Sequence, residues 1–536
     1  MNRSVWPSVL AAAVLLGSAM AAPGGAVLAQ TQSGNLVFDQ AVAITSLSPE
    51  GFQPAGYPSG YEAAYAIYNG LVRFNSHLEI VPSLATRWYT SDGGRVWTFE
   101  LRHGVRFQDG TPFDAAAVAY DFTRMLNPKD DTGATVLWKP VEKVTAVGRY
   151  TVQITTRTPY AAMLFVLAHG SGLIPSPTAI RKWGANYPLH PVGTGPYEVA
   201  SFDPGSKLVL KAYPGYWGGK PKLSTITFNY VPDPQTRIAA LESGQADVID
   251  AVPSQNAAQL RGTPGIRVIS VAGLQSFGIS LDEANPILAN LNVRRALNMA
   301  VDVPAIIRTV YDGQATRLTS PLATDTPGHV AQAPYPYDPA RARAILARAG
   351  WKPGPGGLLV KDGRTMAFTM LVPTTEYPNG TTAAQAIASE LGQIGVKVTL
   401  KVVPSASFFG LLRQPAARQD FQMALWGFNP SFVYGGLQLA DEFLANATPP
   451  TDPPTIWDFV WFNSPRVNRE IDRANATLNP AARLRILGHA QRQVWRNAVY
   501  IWLWAPNVII AERTAVAGVM QMPDEFTLVQ DASLGG

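Results

Sequence analysis

The chain has 536 residues, 47 % hydrophobic and 15 % charged, with a formal net charge of +5 and no cysteine. This length implies roughly two or three domains, and the composition excludes a disordered chain. The missing cysteine excludes disulfides, thiolate metal sites and a Cys nucleophile; the scattered cations, interrupted by acids even in residues 466–473, argue against a nucleic-acid partner.

Residues 1–29 read as a signal peptide: Arg3 supplies the positive start, an apolar run follows, and Val27–Ala29 precede Gln30 as a small-residue cleavage site. No Cys follows for lipid attachment, so an exported, soluble, periplasmic chain without a lipid anchor is expected. The apolar stretches 161–174 and 498–510 are too short or too interrupted to span a bilayer. In residues 96–107, Trp97, Phe99 and Leu101 alternate with Thr98, Glu100 and Arg102, predicting a strand that turns at His103–Gly104 into a second one. Helices are predicted after Ser176–Pro177, Asp233–Pro234, Asp338–Pro339 and Asn479–Pro480, each a capping residue followed by proline at the first helical position. Ala342, Ile345, Leu346 and Ala349 then keep helical spacing. Strands are predicted at 246–252 and 396–403 directly after helices, and a surface hairpin at 351–363. Interleaved helices and strands imply an α/β fold with mixed sheets. Without long linkers, the domains should be lobes joined by crossing strands, a hinged clamp with its ligand between them.

Common catalytic constellations are missing. There is no H-E-x-x-H, G-x-S-x-G or S-x-x-K, and the histidines (77, 103, 169, 190, 329 and 489) lack ligand spacing. They read as structural or solvated residues. Asp130–Asp131 and Asp282–Glu283 read as solvated pairs in polar loops, and residues 193–197, "GTGPY", as a turn without the Lys of a phosphate loop.

Taken in order, several segments carry a resemblance. These are "IYNGLVRF" (67–74), "LRHGVRFQDGTPF" (101–113), "PVGTGPYEVASF" (191–202) with "YW" (216–217), "RIAALESGQADV" (237–248), "VRRALNMAVD" (293–302), "YDPARARAILARAGW" (337–351), "ASELGQIGVKVTL" (388–400) and "NSPRVNREIDRA" (463–474). The series resembles the family 5 solute-binding proteins that serve peptide, nickel and oligosaccharide ABC importers. The resemblance implies a two-lobed, type II-like periplasmic-binding-protein fold with an extra subdomain inserted in the first lobe. Lobe I would comprise 30–67, 200–273 and 498–536, the inserted subdomain 68–199, and lobe II 274–497. It also implies docking on a membrane permease; a monomer without cofactor is expected, and free nickel is disfavoured because no Cys or His is near the expected pocket, with a chelated metal left open. Gly70, Gly104, Gly110 and Gly195 are then expected at turns, Asp109 and Thr111 bonded within their own turn, and Arg294 and Asp302 at helix ends.

Closure over a ligand demands pocket residues from both lobes. The resemblance points to Thr45, Ser46, Ser48, Tyr65 and Trp138 on the first, and Gln275 and Ser276 near the crossing strand. On the second it points to Thr375, Glu376 and Tyr377, then to Trp426, Phe428, Asn429, Ser431, Phe432 and Tyr434 within "ALWGFNPSFVYGG" (424–436). Rings at strand spacing also serve as core, so both readings of Trp426 and Phe432 stay open. Dipeptide-binding members keep an Asp in this second stretch and an Arg in the loop of Thr375–Glu376; here Asn429 and Ser431 stand without an acid before Asp441. A free zwitterionic dipeptide is therefore disfavoured, unless Glu376 takes the amine. An oligopeptide, a modified peptide, an opine or an oligosaccharide is expected. A secreted hydrolase with an unrecognised site, and a sensing or chaperone role, remain the alternatives.

Overall fold

The computed structural model describes residues 34–49, 58–127, 135–374, 376–430, 432–444 and 460–535; the leader 1–29, Asp130–Asp131, Thr375 and Ser431 lie outside them. The first strand, β1 (Asn35–Gln40), buries Leu36 and Phe38. After the helix Ser59–Ile67 the chain builds an antiparallel sheet from β2 (Ala85–Ser91), β3 (Val96–Leu101), β4 (Val141–Gly148) and β5 (Thr151–Thr156), in the order β2-β3-β5-β4. Trp97, Phe99 and Leu101 are buried from β3, as their alternation predicts. The turn at Gly104 has φ 75°, but beyond it only an isolated bridge, Arg106 to Pro112, replaces the expected second strand.

The chain returns with β6 (Tyr197–Asp203), β7 (Lys207–Ala212), β8 (Thr225–Tyr230), β9 (Val248–Ile249) and β10 (Ile266–Ala272). It then crosses to a second sheet through β11 (Phe277–Leu281), and β12 (Ala315–Arg317) comes next. The second sheet continues with β13 (Ala367–Pro373), β14 (Lys397–Val403), β15 (Met423–Gly427) and β16 (Tyr500–Trp502); β17 (Trp504–Arg513) goes back to the first. A hairpin of β18 (Met520–Gln521) and β19 (Thr527–Leu528) follows. Among the described residues the first sheet runs β10-β17-β9-β1-β8-β7-β6, with β12 paired to β17, and the second β14-β13-β15-β11-β16. Both are mixed: β1 is parallel to β8 and β9, and β13 to β14 and β15, whereas β11 is antiparallel to β15 and β16. Because Tyr500–Trp502 pairs with β11, the return crossing falls at Leu503, later than residue 498.

Local chemistry sets the helix starts. Ser176, Asp233, Asp338 and Asn479 each accept an N–H three residues ahead, from Ala179, Thr236, Arg341 and Ala482, with the proline between. Residues 351–363 contribute short antiparallel strands, Lys352–Pro353 and Leu359–Lys361, as the hairpin reading requires. Asp302 caps Ala305, and Asp109 accepts the Thr111 N–H at 2.9 Å. Arg294 serves two helix termini, donating to Leu288 O at 2.7 Å before one and to Asn497 O at 2.9 Å after another.

Two glycine readings change. Gly104 and Gly110 hold positive φ, 75° and 82°, but Gly70 and Gly195 do not. A Cβ on Gly195 would lie 2.5 Å from the Ile67 carbonyl carbon, so that glycine serves close backbone packing. Asp282–Glu283 is not a solvated pair: burial lifts the carboxyls to about 6 and about 7, and Glu283 stands 3.1 Å from the Arg294 guanidinium, which works against the rise. No described helix is long and apolar enough to cross a membrane.

Candidate functional site

The pairing of β11 with β15 opposes Phe277 to Gly427 and Gly278 to Trp426, so alternation places Trp426 on one face of the second sheet with Gly278 and Trp502. Ser276 and Phe428 extend that face by one pair, joined by the Phe428 N–H to Ser276 O bond at 2.9 Å. Trp426 is 4 % exposed, and its indole Nε1 donates to both carboxylate oxygens of Glu442 at 3.0 and 3.2 Å. Phe428 stands edge-on to Phe443 and Tyr500 at 5.7 and 5.4 Å. Gly427 is required where it stands: a Cβ there would come within 3.0 Å of the Phe277 and Gln275 side chains.

The opposing wall is built from the first lobe. Tyr61 and Tyr65, one helical turn apart, meet Phe526 at 5.5 and 5.8 Å. Tyr61 also stands edge-on to His169 at 5.2 Å, and the Tyr65 hydroxyl donates to Ala168 O at 3.1 Å. The His169 Nδ1 accepts the Ser171 N–H at 3.1 Å, which leaves the proton of the neutral ring on Nε2, a buried atom with no partner among the described residues. Burial pushes the His169 pKa down to about 4.

Two ring pairs bridge the walls. Phe432 lies 6.4 Å from His169, and Tyr434 stacks on Phe165 at 4.8 Å. The hairpin loop carrying Phe526 is pinned from both sides: Glu62, itself buried, accepts the Thr527 N–H at 2.6 Å, and Pro523 O accepts the Leu274 N–H at 2.9 Å. This places Asp524 and Glu525 beside the crossing strand. Burial raises Asp524 to about 7, and burial with the charges of Asp524 and Glu376 raises Glu525 to about 8. A small cavity of about 30 Å³ remains among Tyr65, Arg73, Asp524, Phe526 and Gln530. A larger groove, about 380 Å³, lies elsewhere, between residues 86–105 and Trp217, where Arg102 covers the Trp217 ring at 4.6 Å.

The residues expected from sequence divide accordingly. Phe432 and Tyr434 reach Phe165 and His169 across the two walls, Trp426 packs on Phe408 and Phe409, Tyr65 meets Phe526, and Phe428 is fully buried core. Ser276 is buried on the same sheet face, Gln275 is half-buried against Gly427, and Asn429 spends its carbonyl on Gln438 Nε2 at 3.3 Å. Tyr377 is buried edge-on to Phe277 at 4.7 Å, and Glu376 next to it is exposed. Trp138 is a core residue instead: it is 1 % exposed and packs 4.5 Å from Phe122. Thr45 is exposed, the Ser46 hydroxyl accepts the Ser48 N–H at 3.3 Å, and the loop between them is held by Pro188 and Tyr68.

An uncharged pocket is not what surrounds Trp426. Glu442 binds its indole, and Glu376, Asp524 and Glu525 gather nearby, so the expectation of rings, an amide and a hydroxyl alone is corrected. His169, buried and packed on Tyr61, takes the structural side of the reading given to the histidines. Sequence reasoning missed Tyr61, His169, Glu442, Asp524, Glu525 and Phe526; one signal was present, a histidine inside the apolar run 161–174.

Comparison with known proteins places this arrangement. The model of the bacterial extracellular solute-binding proteins, family 5 (middle), matches residues 79–446. The chain belongs to that family. It is a family 5 solute-binding receptor of the class that serves ABC importers, and family 5 members are binding proteins rather than enzymes. The glutathione-binding protein GsiB of Escherichia coli O6:K15:H31 is 29 % identical over 473 residues, 88 % of this chain and 89 % of that one. HbpA2 of Haemophilus parasuis superposes with a TM-score of 0.79 at 25 % identity, covering 94 % of this chain and 100 % of the other. NikA of Brucella suis, solved with Fe(III)-EDTA, reaches 0.81 at 24 % identity over 93 % and 99 %. The fold is thus the two-lobed one of periplasmic family 5 binding proteins.

Proposed function

We propose that this protein captures an organic solute between its two lobes, without turnover, and delivers it to the membrane permease of an ABC importer. The observation that carries the reading is the junction itself: Phe432 and Tyr434 of one lobe rest on His169 and Phe165 of the other, around the crossing at Leu274–Phe277. Rings held this way part and reclose at modest cost, since each pair contributes about 0.5–1.5 kcal/mol beyond area burial. A solute that touches both walls adds its binding energy to closure alone.

On this reading Tyr65, Ser276, Glu376, Trp426, Phe432 and Tyr434 belong to the binding region, and the leader 1–29 is removed on export to the periplasm. An oligopeptide, modified peptide, opine or oligosaccharide is the class of cargo, and the working form is a monomer. The test is to denature the purified protein, identify any released small molecule by mass spectrometry, and measure compaction by X-ray scattering when it is added back. Compaction without chemical change of the solute supports the receptor; turnover of the solute favours the hydrolase.

A further inference from the structure

The groove at Trp217 is separate from the junction of the two walls. Its lining, Thr86, Leu101, Arg102, His103, Val105 and Trp217, shares no residue with the small cavity at Tyr65 and Phe526. At about 380 Å³ it has the volume of a small-molecule site. Leu101 and Val105 are buried and give it an apolar floor, whereas Thr86 and His103 are exposed at its rim.

Two of these side chains are held in place by bonds outside the groove. Arg102 Nε donates to Ser83 O at 2.7 Å, and the guanidinium carbon lies 4.6 Å from the centre of the Trp217 ring. Trp217 Nε1 donates in turn to Asn69 Oδ1 at 2.9 Å, an oxygen that also accepts the Thr194 hydroxyl at 3.2 Å. The terminal nitrogens of Arg102 form no ion pair with any acid among the described residues. A guanidinium fixed through Nε and one face offers a planar fork of donors at those nitrogens, which matches a carboxylate or a phosphate.

The two acids of residues 100–112 are already engaged. Arg87 holds both Glu100 oxygens at 2.5 and 2.6 Å, and Asp109 accepts the Thr111 N–H at 2.9 Å and the Ser176 hydroxyl at 2.5 Å. Arg102 keeps its charge uncompensated beside apolar surface, where an anion is attracted more strongly than in open water. A second cation stands on the His103 side. His103 stacks on Tyr150 at 4.1 Å, and the Arg149 guanidinium lies over the same ring at 5.3 Å.

We propose that this groove is a second ligand site, apart from the one between the lobes, for a flat organic anion. The carboxylate or phosphate of the anion sits on the Arg102 fork, and its ring lies against Trp217, Leu101 and Val105. Such a site fills independently of the solute that the lobes enclose.

The test is isothermal titration of the full mature chain with indole-3-acetate and phenyl phosphate, set against indole-3-acetamide and inorganic phosphate. Binding of either ring anion at least tenfold tighter than its neutral or ringless counterpart is the expected result. Arg102→Gln removes the charge of the fork, and Thr86→Glu adds a repelling carboxylate at an exposed position where the core is undisturbed. Each should weaken that binding at least tenfold. Indole-3-acetamide binding as tightly as indole-3-acetate overturns the anion site. Inorganic phosphate binding as tightly as phenyl phosphate shows an adventitious ion only and overturns it too. Binding that survives both substitutions puts the anion elsewhere and overturns the groove while leaving the receptor reading intact. Failure of both ring anions to bind at millimolar concentration has the same outcome.

Discussion

Phe165 and Tyr434 stack with ring centroids 4.8 Å apart and planes 21° from parallel, one ring from the inserted subdomain and the other at the start of the lobe II helix Gly435–Phe443. Besides Phe432 against His169, further contacts join the same bodies. The Ala161 N–H donates to Asn475 O at 2.7 Å, and Leu478 sits so close to Gly94 that a Cβ there would lie 2.1 Å from its Cδ1. Residues 94–165 are thus joined to residues 434–478 at several points. Phe165→Ala removes a ring pair of about 0.5–1.5 kcal/mol, which lowers the closed-to-open ratio by up to about tenfold. X-ray scattering of the ligand-free variant should show a larger radius of gyration, and an unchanged radius would assign closure to the cleft alone.

Trp426 and Glu442 support a second prediction. Trp426 is nearly fully enclosed and its indole holds a buried carboxylate, so Trp426→Ala creates a cavity and costs about 3–5 kcal/mol of unfolding free energy. Trp426→Phe keeps most of the volume but takes a donor from Glu442, and should cost about 1–3 kcal/mol. Urea unfolding of both variants separates the two terms; equal losses would show that the bond to Glu442, not packing, carries the whole effect.

The glycines offer a matched pair. Gly104 has positive φ and open space around it, so Gly104→Ala costs about 1–2 kcal/mol of backbone strain. Gly195 has ordinary φ but faces the Ile67 and Ala66 backbone at 2.5 and 2.6 Å, so Gly195→Ala should cost about 3 kcal/mol, the upper end of overpacking. The reverse order in calorimetric melting would show that the helix end Ser59–Ile67 yields easily.

These cases also mark what was legible in sequence. The capped helix starts were readable because a cap bonds within three residues of itself, as Asp233 does with Thr236. The family segments were readable because their order runs along the chain. The cleft's charge was not, since Glu376, Glu442 and Glu525 stand far apart in the chain and meet only after folding. The Glu62 to Thr527 bond, which sets the loop of Asp524 and Glu525, spans 465 residues. Proximity to Asn429 in sequence therefore said nothing about proximity in space. Trp138 failed for the converse reason: an aromatic beside a polar stretch of sequence looks available until Phe122 is folded against it.

The last prediction concerns pH. Burial raises Glu525 and Asp441 to about 8 and Asp524 to about 7, from ordinary values of 4.5 for Glu and 3.8 for Asp. Between those limits the folded chain holds protons that the unfolded chain has released, so stability falls as pH rises through the window. His169 works in the opposite sense: folded at about 4 against an ordinary 6.5, it contributes stability that is lost as pH falls from the upper value to the lower. His329, also lowered by burial, adds to that acid limb. Where the two windows overlap, the three carboxyls outweigh the histidines, so the ligand-free protein should melt highest near about pH 4–5 and lose stability as pH rises towards about 8. Glu525→Gln should make that fall shallower, and His169→Gln should make it steeper below about pH 6.5. A melting temperature that rises steadily from pH 6 to pH 8.5 would mean that these carboxyls are already ionised in the folded protein.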